Sequence, residues 1–382
     1  MVSALDRLSY AARQTARVAW YAGHYAAGRR LLKPMPKPDF AVGPTPTRAE
    51  LTAEMRTLFQ REWRDVAAGL FPAPRLLGPE PTEFLRRSLL YFRDLPQVDA
   101  RRHGTLDDEL PPGTQADGLP DYYRQNFHFQ SDGWLSDHSA ALYDTQVEVL
   151  FTGAADVMRR RALAPIATWL AGRNQRDVRG LDVGCGTGRL LAALHGAWPG
   201  LKLTGIDLSK PYLEEARRLI GRTARVKLDE AAAESLPFDE ASLDLVVSSF
   251  LLHELPNEIR VKVIAEMARV AKPGGLVVIV DSLRRGTVPT GTACSTSSRT
   301  ISTSRITPST RPAASTRGSA RPGFVRYRAR TPSCRRSPLL RSSRNKELHW
   351  SAPLPWRSCL DDQRRLSATG VARSNETALP RP

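Results

Sequence analysis

Residues 181–188, reading LDVGCGTG, constrain this chain more than any other stretch. They join a short apolar strand to three alternating glycines, and the run that follows, RLLAALHGAW, has the pattern of a helix. Leu181 and Val183 are expected to face a core, while Asp182 lies near the carboxyl end of the strand, where open α/β sheets bind their ligands. Gly184, Gly186 and Gly188 can adopt positive φ, so main chain can press against a bound molecule. The amides and positive dipole end of the following helix face the same space. This combination builds a nucleotide-sized pocket. It is neither a dinucleotide fingerprint, whose third glycine would fall at Arg189, nor a phosphate loop, which needs G-K-[ST].

The elements downstream keep the order of an open α/β sheet. LKLTGID ends in Asp207, about 20 residues past the glycine turn, where such folds place a carboxylate on ribose hydroxyls. Ser209 supplies the cap of the next helix and Pro211 is tolerated in its first turn, which leaves Asp207 for a ligand. ARVKL reads as a third strand and SLDLVVSS as a fourth. PNEIRVKVIAEMARVAKPGGLVVIVDS reads as a helix, a stop at Lys272–Pro273–Gly274 and a fifth strand, with Ile259, Val263, Ile264, Met267 and Val270 on one helix face.

This series resembles the class I S-adenosylmethionine-dependent methyltransferases. The resemblance implies a Rossmann-like, doubly wound parallel sheet over about residues 155–285, with S-adenosyl-L-methionine as the cofactor. The residues it implies around that cofactor are Asp182, Gly184, Cys185, Gly186, Gly188, Asp207, Leu208, Ala232, Ala233 and Ser248. One departure stands out: Ala232 occupies the place where the family usually has an acid for the adenine amino group. That contact is then expected from backbone around Ala233, or from Asp229 or Glu230 after a shift. Members that methylate base amines or glutamine amides carry N/D-P-P-Y/F after the fourth strand, where this chain has SSFLLHEL. The resemblance therefore implies a small-molecule acceptor, methylated on oxygen or carbon, and it is strongest to the quinone- and sterol-type enzymes.

Such a reaction needs alignment and water exclusion more than side-chain chemistry, and positioning alone can supply about 7–11 kcal/mol. If a base takes part, His253 in FLLHEL is the first candidate, with Tyr143 and Asp144 behind it. The segment 121–154 holds Tyr122, Tyr123, Phe127, His128, Phe129, Trp134, His138 and Tyr143. It reads either as a lid whose rings attract a sulfonium or as an ordinary packed aromatic cluster. Cys185 reads as a small packed side chain, and no C-x-x-C spacing suggests a metal.

Charge divides the chain. Of the formal +17, residues 286–382 carry eighteen Lys and Arg against four Asp and Glu. Ser, Thr, Arg and Pro dominate that tail, so it is expected to be disordered, and the strands that usually close the family's sheet are expected to be missing. A changed reading frame, a polyanion-binding arm and an inert extension all remain open for it. Nucleic acid is expected as a partner only through this tail. The alternative to an enzyme is a catalytically impaired cofactor-binding module whose basic tail holds nucleic acid.

At the other end, residues 1–46 read as a basic helix, with Leu5, Leu8, Val18, Tyr21 and Tyr25 partly on one side, and a proline-rich linker. Residues 47–120 read as a helical region, opened by a Thr47–Glu50 capping box that runs to about Leu70. A second helix there is expected to present Phe84, Leu85, Leu89 and Phe92 as its apolar face. No apolar run approaches the roughly 20 residues of a spanning helix, and no signal-type h-region precedes the core. A cytoplasmic protein is expected; peripheral membrane contact through the basic helix is a weaker expectation than packing onto the body.

Overall fold

Strands β1 (Arg179–Val183), β2 (Lys202–Asp207), β3 (Val226–Glu230), β4 (Leu243–Ser249) and β5 (Ala271–Val280) are short, and the central ones are almost continuously buried. That pattern belongs to a parallel sheet covered on both faces. In this computed structural model, which describes residues 3–34, 47–74, 81–103, 118–124, 133–281 and 302–305, these strands lie in the order β3-β2-β1-β4-β5, with a sixth outside β5. Every pair among the first five strands is parallel. From β1 the chain winds outward through β2 to β3, then returns to lay β4 on the other side of β1. A crevice opens at the carboxyl ends of β1 and β4, the switch point of the sheet.

Helices α7 (Arg189–Ala197), α8 (Lys210–Ile220) and α9 (Asn257–Val270) connect these strands. Ser209 caps α8 with Pro in its first turn, as the sequence suggested. On α9, Val263, Met267 and Val270 are buried and Ile259 and Ile264 pack against the same cluster.

One element of the sheet was unexpected. Strand β6 (Ser302–Arg305) comes from the basic tail and pairs antiparallel with β5, from Leu276↔Arg305 to Ile279↔Ser302. The sequence led us to expect no closing strand. The outer edge of β5 offers unpaired amides and carbonyls, which any extended segment can satisfy. The rest of the tail lies outside the described residues, as do linker residues 35–46 and the aromatic candidates Phe127, His128 and Phe129.

Among the described residues, six α-helices precede the sheet: α1 (Ala4–Leu31), α2 (Arg48–Ala67), α3 (Pro81–Arg102), α4 (Asp137–Leu150), α5 (Ala155–Arg160) and α6 (Leu163–Leu170). The expected capping box forms, with the Glu50 amide donating to Thr47 Oγ1 at 3.2 Å and the Thr47 amide to Glu50 Oε2 at 2.7 Å. Val66 and Phe71, beside α2, share one apolar cluster with Ile166, Leu190, Leu194, Leu245 and Val278. A buried ion cluster reinforces this: Glu62 accepts from Tyr10 on α1 at 2.6 Å and from Arg160 on α5 at 2.6 Å.

The apolar face expected on α3 is only half right. Phe84 and Phe92 turn inward against Trp20 and His24, with ring centroids 5.2 and 5.1 Å apart, whereas Leu85 and Leu89 stand 57% and 60% exposed. Successive residues lie about 100° apart on a helix, so Phe84 and Leu85 cannot share a narrow contact. On α1, Tyr21 is buried while Leu5 and Leu8 are exposed. Among the described residues, no helix is long and apolar enough to cross a membrane.

Candidate cofactor and active site

The crevice is walled by the glycine turn, by the ends of β2 and β4, and by aromatic side chains from the segment before the core. All three glycines take positive φ: +67° at Gly184, +54° at Gly186 and +76° at Gly188. At Gly188 a Cβ would also stand 2.9 Å from the Cβ of Ala216 on α8. The turn therefore needs glycine for backbone angle and for close packing together.

Asp207 ends β2 and faces this space. Its Oδ2 accepts from the Gly186 amide at 2.8 Å and its Oδ1 from the Ser209 amide at 2.9 Å, with the Tyr123 hydroxyl 3.5 Å away. Burial raises its pKa, and the Ser209 and Gly186 amides work against that rise. Oδ1 thus takes both the Ser209 amide and the more distant Tyr123 hydroxyl, which a ligand hydroxyl can displace.

Asp182 is fully buried, and neither of its oxygens has a hydrogen-bond partner among the described residues. Burial, then the nearby charge of Asp207, push its carboxyl up to about 8, against a smaller pull from Arg159. The folded chain thus holds a proton that the unfolded chain releases near the ordinary aspartate value of 3.8, so stability falls as pH rises between those two values. Asp182→Asn is expected to flatten that fall: melting curves from pH 4 to 8 should show the variant gaining on wild type as pH rises. A constant offset across the range would contradict this.

Arg159 lines the crevice from α5 with its side chain 6% exposed. Nη1 donates to Asp156 at 3.1 Å, the guanidinium lies 5.0 Å from the Phe250 ring centroid, and its other donors have no partner among the described residues. Asp182 is closed inside β1 and does not line the crevice, whereas the Arg159 guanidinium beside the glycine turn complements the carboxylate of an amino acid. This is the observation that fits the methionine end of S-adenosylmethionine. Arg189 stands next to it, bonded to Asp156.

The remaining expected residues divide. Gly184, Cys185, Gly186, Leu208, Ala233 and Tyr143 line the crevice with Asp207, and so do Tyr122, Tyr123 and Trp134. Tyr122 is held there by its hydroxyl, which donates to Glu234 at 2.8 Å. Ala231 rather than Ala232 takes part in the lining, and Asp229 and Glu230 are exposed. Ser248 needs correction: its hydroxyl donates to the Val183 carbonyl at 2.8 Å inside the sheet, and Ser249 lines the crevice instead. Adjacent strand residues point to opposite faces. His138 sits apart, 3.4 Å from Asp94.

His253 is also corrected. It does not line the crevice; its Nδ1 lies 2.8 Å from Asp281 and its Nε2 2.8 Å from Glu254. Burial opposes its charge, but Asp281 and then Glu254 outweigh burial and raise it to about 10. An imidazolium donating from both nitrogens has no lone pair with which to take a proton.

Sequence reasoning passed over Arg159 and Phe250. The run Arg159–Arg160–Arg161 was a visible signal, although nothing local marks which guanidinium turns to the crevice and which, as Arg160 does, turns to Glu62. Phe250 follows β4 at φ +57°, and its ring stacks on Phe151 at 5.7 Å. A bulky residue in that backbone region is strained, and such strain clusters at functional sites.

Residues 181–275 match the family described as a methyltransferase domain. Over that quarter of its length the chain carries a methyltransferase domain, set in the Rossmann-like sheet described above, and S-adenosylmethionine is the cofactor such a domain takes. Among its relatives is the demethylmenaquinone methyltransferase of Staphylococcus aureus, 33% identical over 141 residues that make up 37% of this chain and 55% of that protein. The chain thus spans little more than half the length of the curated relatives it matches. Solved structures with some likeness include a putative methyltransferase from Bacillus halodurans (25% identity, 32% of this chain and 52% of that one, TM-score 0.28). Another is a phosphoethanolamine N-methyltransferase of Haemonchus contortus (17% identity, 37% and 30%, TM-score 0.29).

Proposed function

We propose that this chain transfers a methyl group from S-adenosylmethionine to a small-molecule oxygen or carbon acceptor. The observation that carries the reading is a glycine turn held at positive φ with the Asp207 carboxylate and the Arg159 guanidinium lining the same crevice. When bound, the cofactor supplies a methyl group already activated on sulfonium. The Arg159 guanidinium would hold its carboxylate, main chain at Gly184 and Gly186 would face its ammonium, and Asp207 would accept from its ribose hydroxyls. Ala231, Ala233 and Leu255 offer an apolar wall to the base, closed over by Tyr122.

The acceptor side is aromatic. Tyr143 and Phe250 border the crevice, which suits a planar molecule stacked against them. A quinol-like acceptor is favoured by this lining and by the relative named for demethylmenaquinone. Tyr143 is the one titratable hydroxyl of the expected catalytic pair left at the site.

Incubation with methyl-labelled cofactor and a panel of hydroquinones, phenols and sterols tests the reading. Label is expected in an extractable planar product. Label appearing only in protein or nucleic acid would refute the small-molecule acceptor.

A further inference from the structure

Six large apolar side chains are strongly exposed among the described residues, and five of them lie on α1 and α3: Leu5, Leu8 and Leu31, and Leu85 and Leu89. The two helices pack together through Trp20, Tyr21 and His24 against Phe84 and Phe92. Their charges are sorted in the same direction. The exposed charged residues on α1, just past its end and on α3 are the cations Arg7, Arg29, Arg30, Lys33, Arg86 and Arg93, against the single acid Asp6. Asp6 is spent on the Ser3 cap. The acids of α3 are withdrawn: Asp94 and Asp99 are buried, and Glu83 is held by Arg86 and Arg87.

We propose that the α1–α3 face docks on an anionic lipid bilayer. Leucines flanked by arginines on a helix surface match the interfacial pattern, in which apolar side chains enter the acyl boundary and cations meet the headgroups. Charge complementarity selects this occupant over a second copy of the chain, because two such faces, each with cations in excess even after Arg86 is set against Glu83, would repel. Leu85, Leu89 and Arg93 follow at i, i+4 and i+8 along α3, with Arg86 and Arg93 on one flank of the leucines. This inference does not depend on the methyltransferase reading, and its test needs no turnover.

The full chain would be sedimented with vesicles of phosphatidylcholine containing phosphatidylserine, and with vesicles of phosphatidylcholine alone. Binding is expected to the anionic vesicles and to weaken as salt rises. Leu85→Glu with Leu89→Glu, and separately Leu5→Glu with Leu8→Glu, should each lower the affinity about tenfold or more, since both residues of each pair leave the acyl boundary. All four leucines are exposed, so melting temperature should hold and confirm folding. The basic tail could bind the same vesicles by charge alone. If both leucine pairs leave binding unchanged, the tail accounts for it and the proposal fails; if wild type does not sediment with anionic vesicles, it fails outright.

Discussion

Asp156→Ala is expected to lower the unfolding free energy by about 3–5 kcal/mol, the cost of stripping a buried ion network of one partner. A single carboxylate here serves three guanidinium groups: Arg159 at 3.1 Å, Arg17 at 3.1 Å and Arg189 through both its Nε and Nη2. Burial would raise the Asp156 pKa, but Arg189, Arg17 and Arg159 outweigh it and hold the group well below the ordinary range. Its stabilising contribution is therefore present at neutral pH and lost only in strong acid. Without it, three buried cations share Glu148 and Asp144. Glu148 is already pushed toward its protonated form, first by burial. For a unit of this size the melting temperature should drop by about 10 °C. A change of under about 2 °C would mean that water or a rearranged Glu148 replaces the lost charge. Because Arg17 stands on α1, this substitution should also loosen the N-terminal helices from the core, which limited proteolysis would detect.

Asp207→Ala is expected to weaken S-adenosylmethionine affinity by about 100-fold or more. Two charge-assisted hydrogen bonds to ribose are worth about 1.5–3 kcal/mol each, and 1.4 kcal/mol is tenfold in binding. The variant also leaves the Gly186 and Ser209 amides without their acceptor, so the turn itself should lose order. Melting temperature measured alongside titration separates the two: a modest thermal loss with a large affinity loss places Asp207 on the ligand. An affinity within about threefold of wild type would remove it from the site.

The sheet was legible because its signals are local. Glycine spacing, apolar runs and the Ser209 cap each act within a few residues, and together they gave the five parallel strands, the order of elements and the place of Asp207 at the end of β2. What escaped depends on contacts between distant elements. His253 looked free because Asp281, which holds it, comes 28 residues later. Arg159 was passed over because the contacts that hold it come from Asp156 and from Phe250, the latter far along the chain. Ser248 and Ser249 were separable only by register, which shifts along the β4–β5 pairing between Leu243 and Leu245. Leu85 and Leu89 shared a hydrophobic pattern with Phe84 and Phe92, and only the rings of α1 decide which side turns inward. The strand from the tail was invisible for another reason: STSR has no apolar alternation, and pairing at an open edge is satisfied by backbone.

Calorimetric titration of the full chain with S-adenosylhomocysteine, the demethylated product, tests the central claim most directly. Saturable one-to-one binding is expected, lost in Asp207→Ala and weakened in Arg159→Leu. Absence of heat at millimolar ligand, with the wild-type chain folded, would contradict a nucleoside site at the Gly184–Gly188 turn.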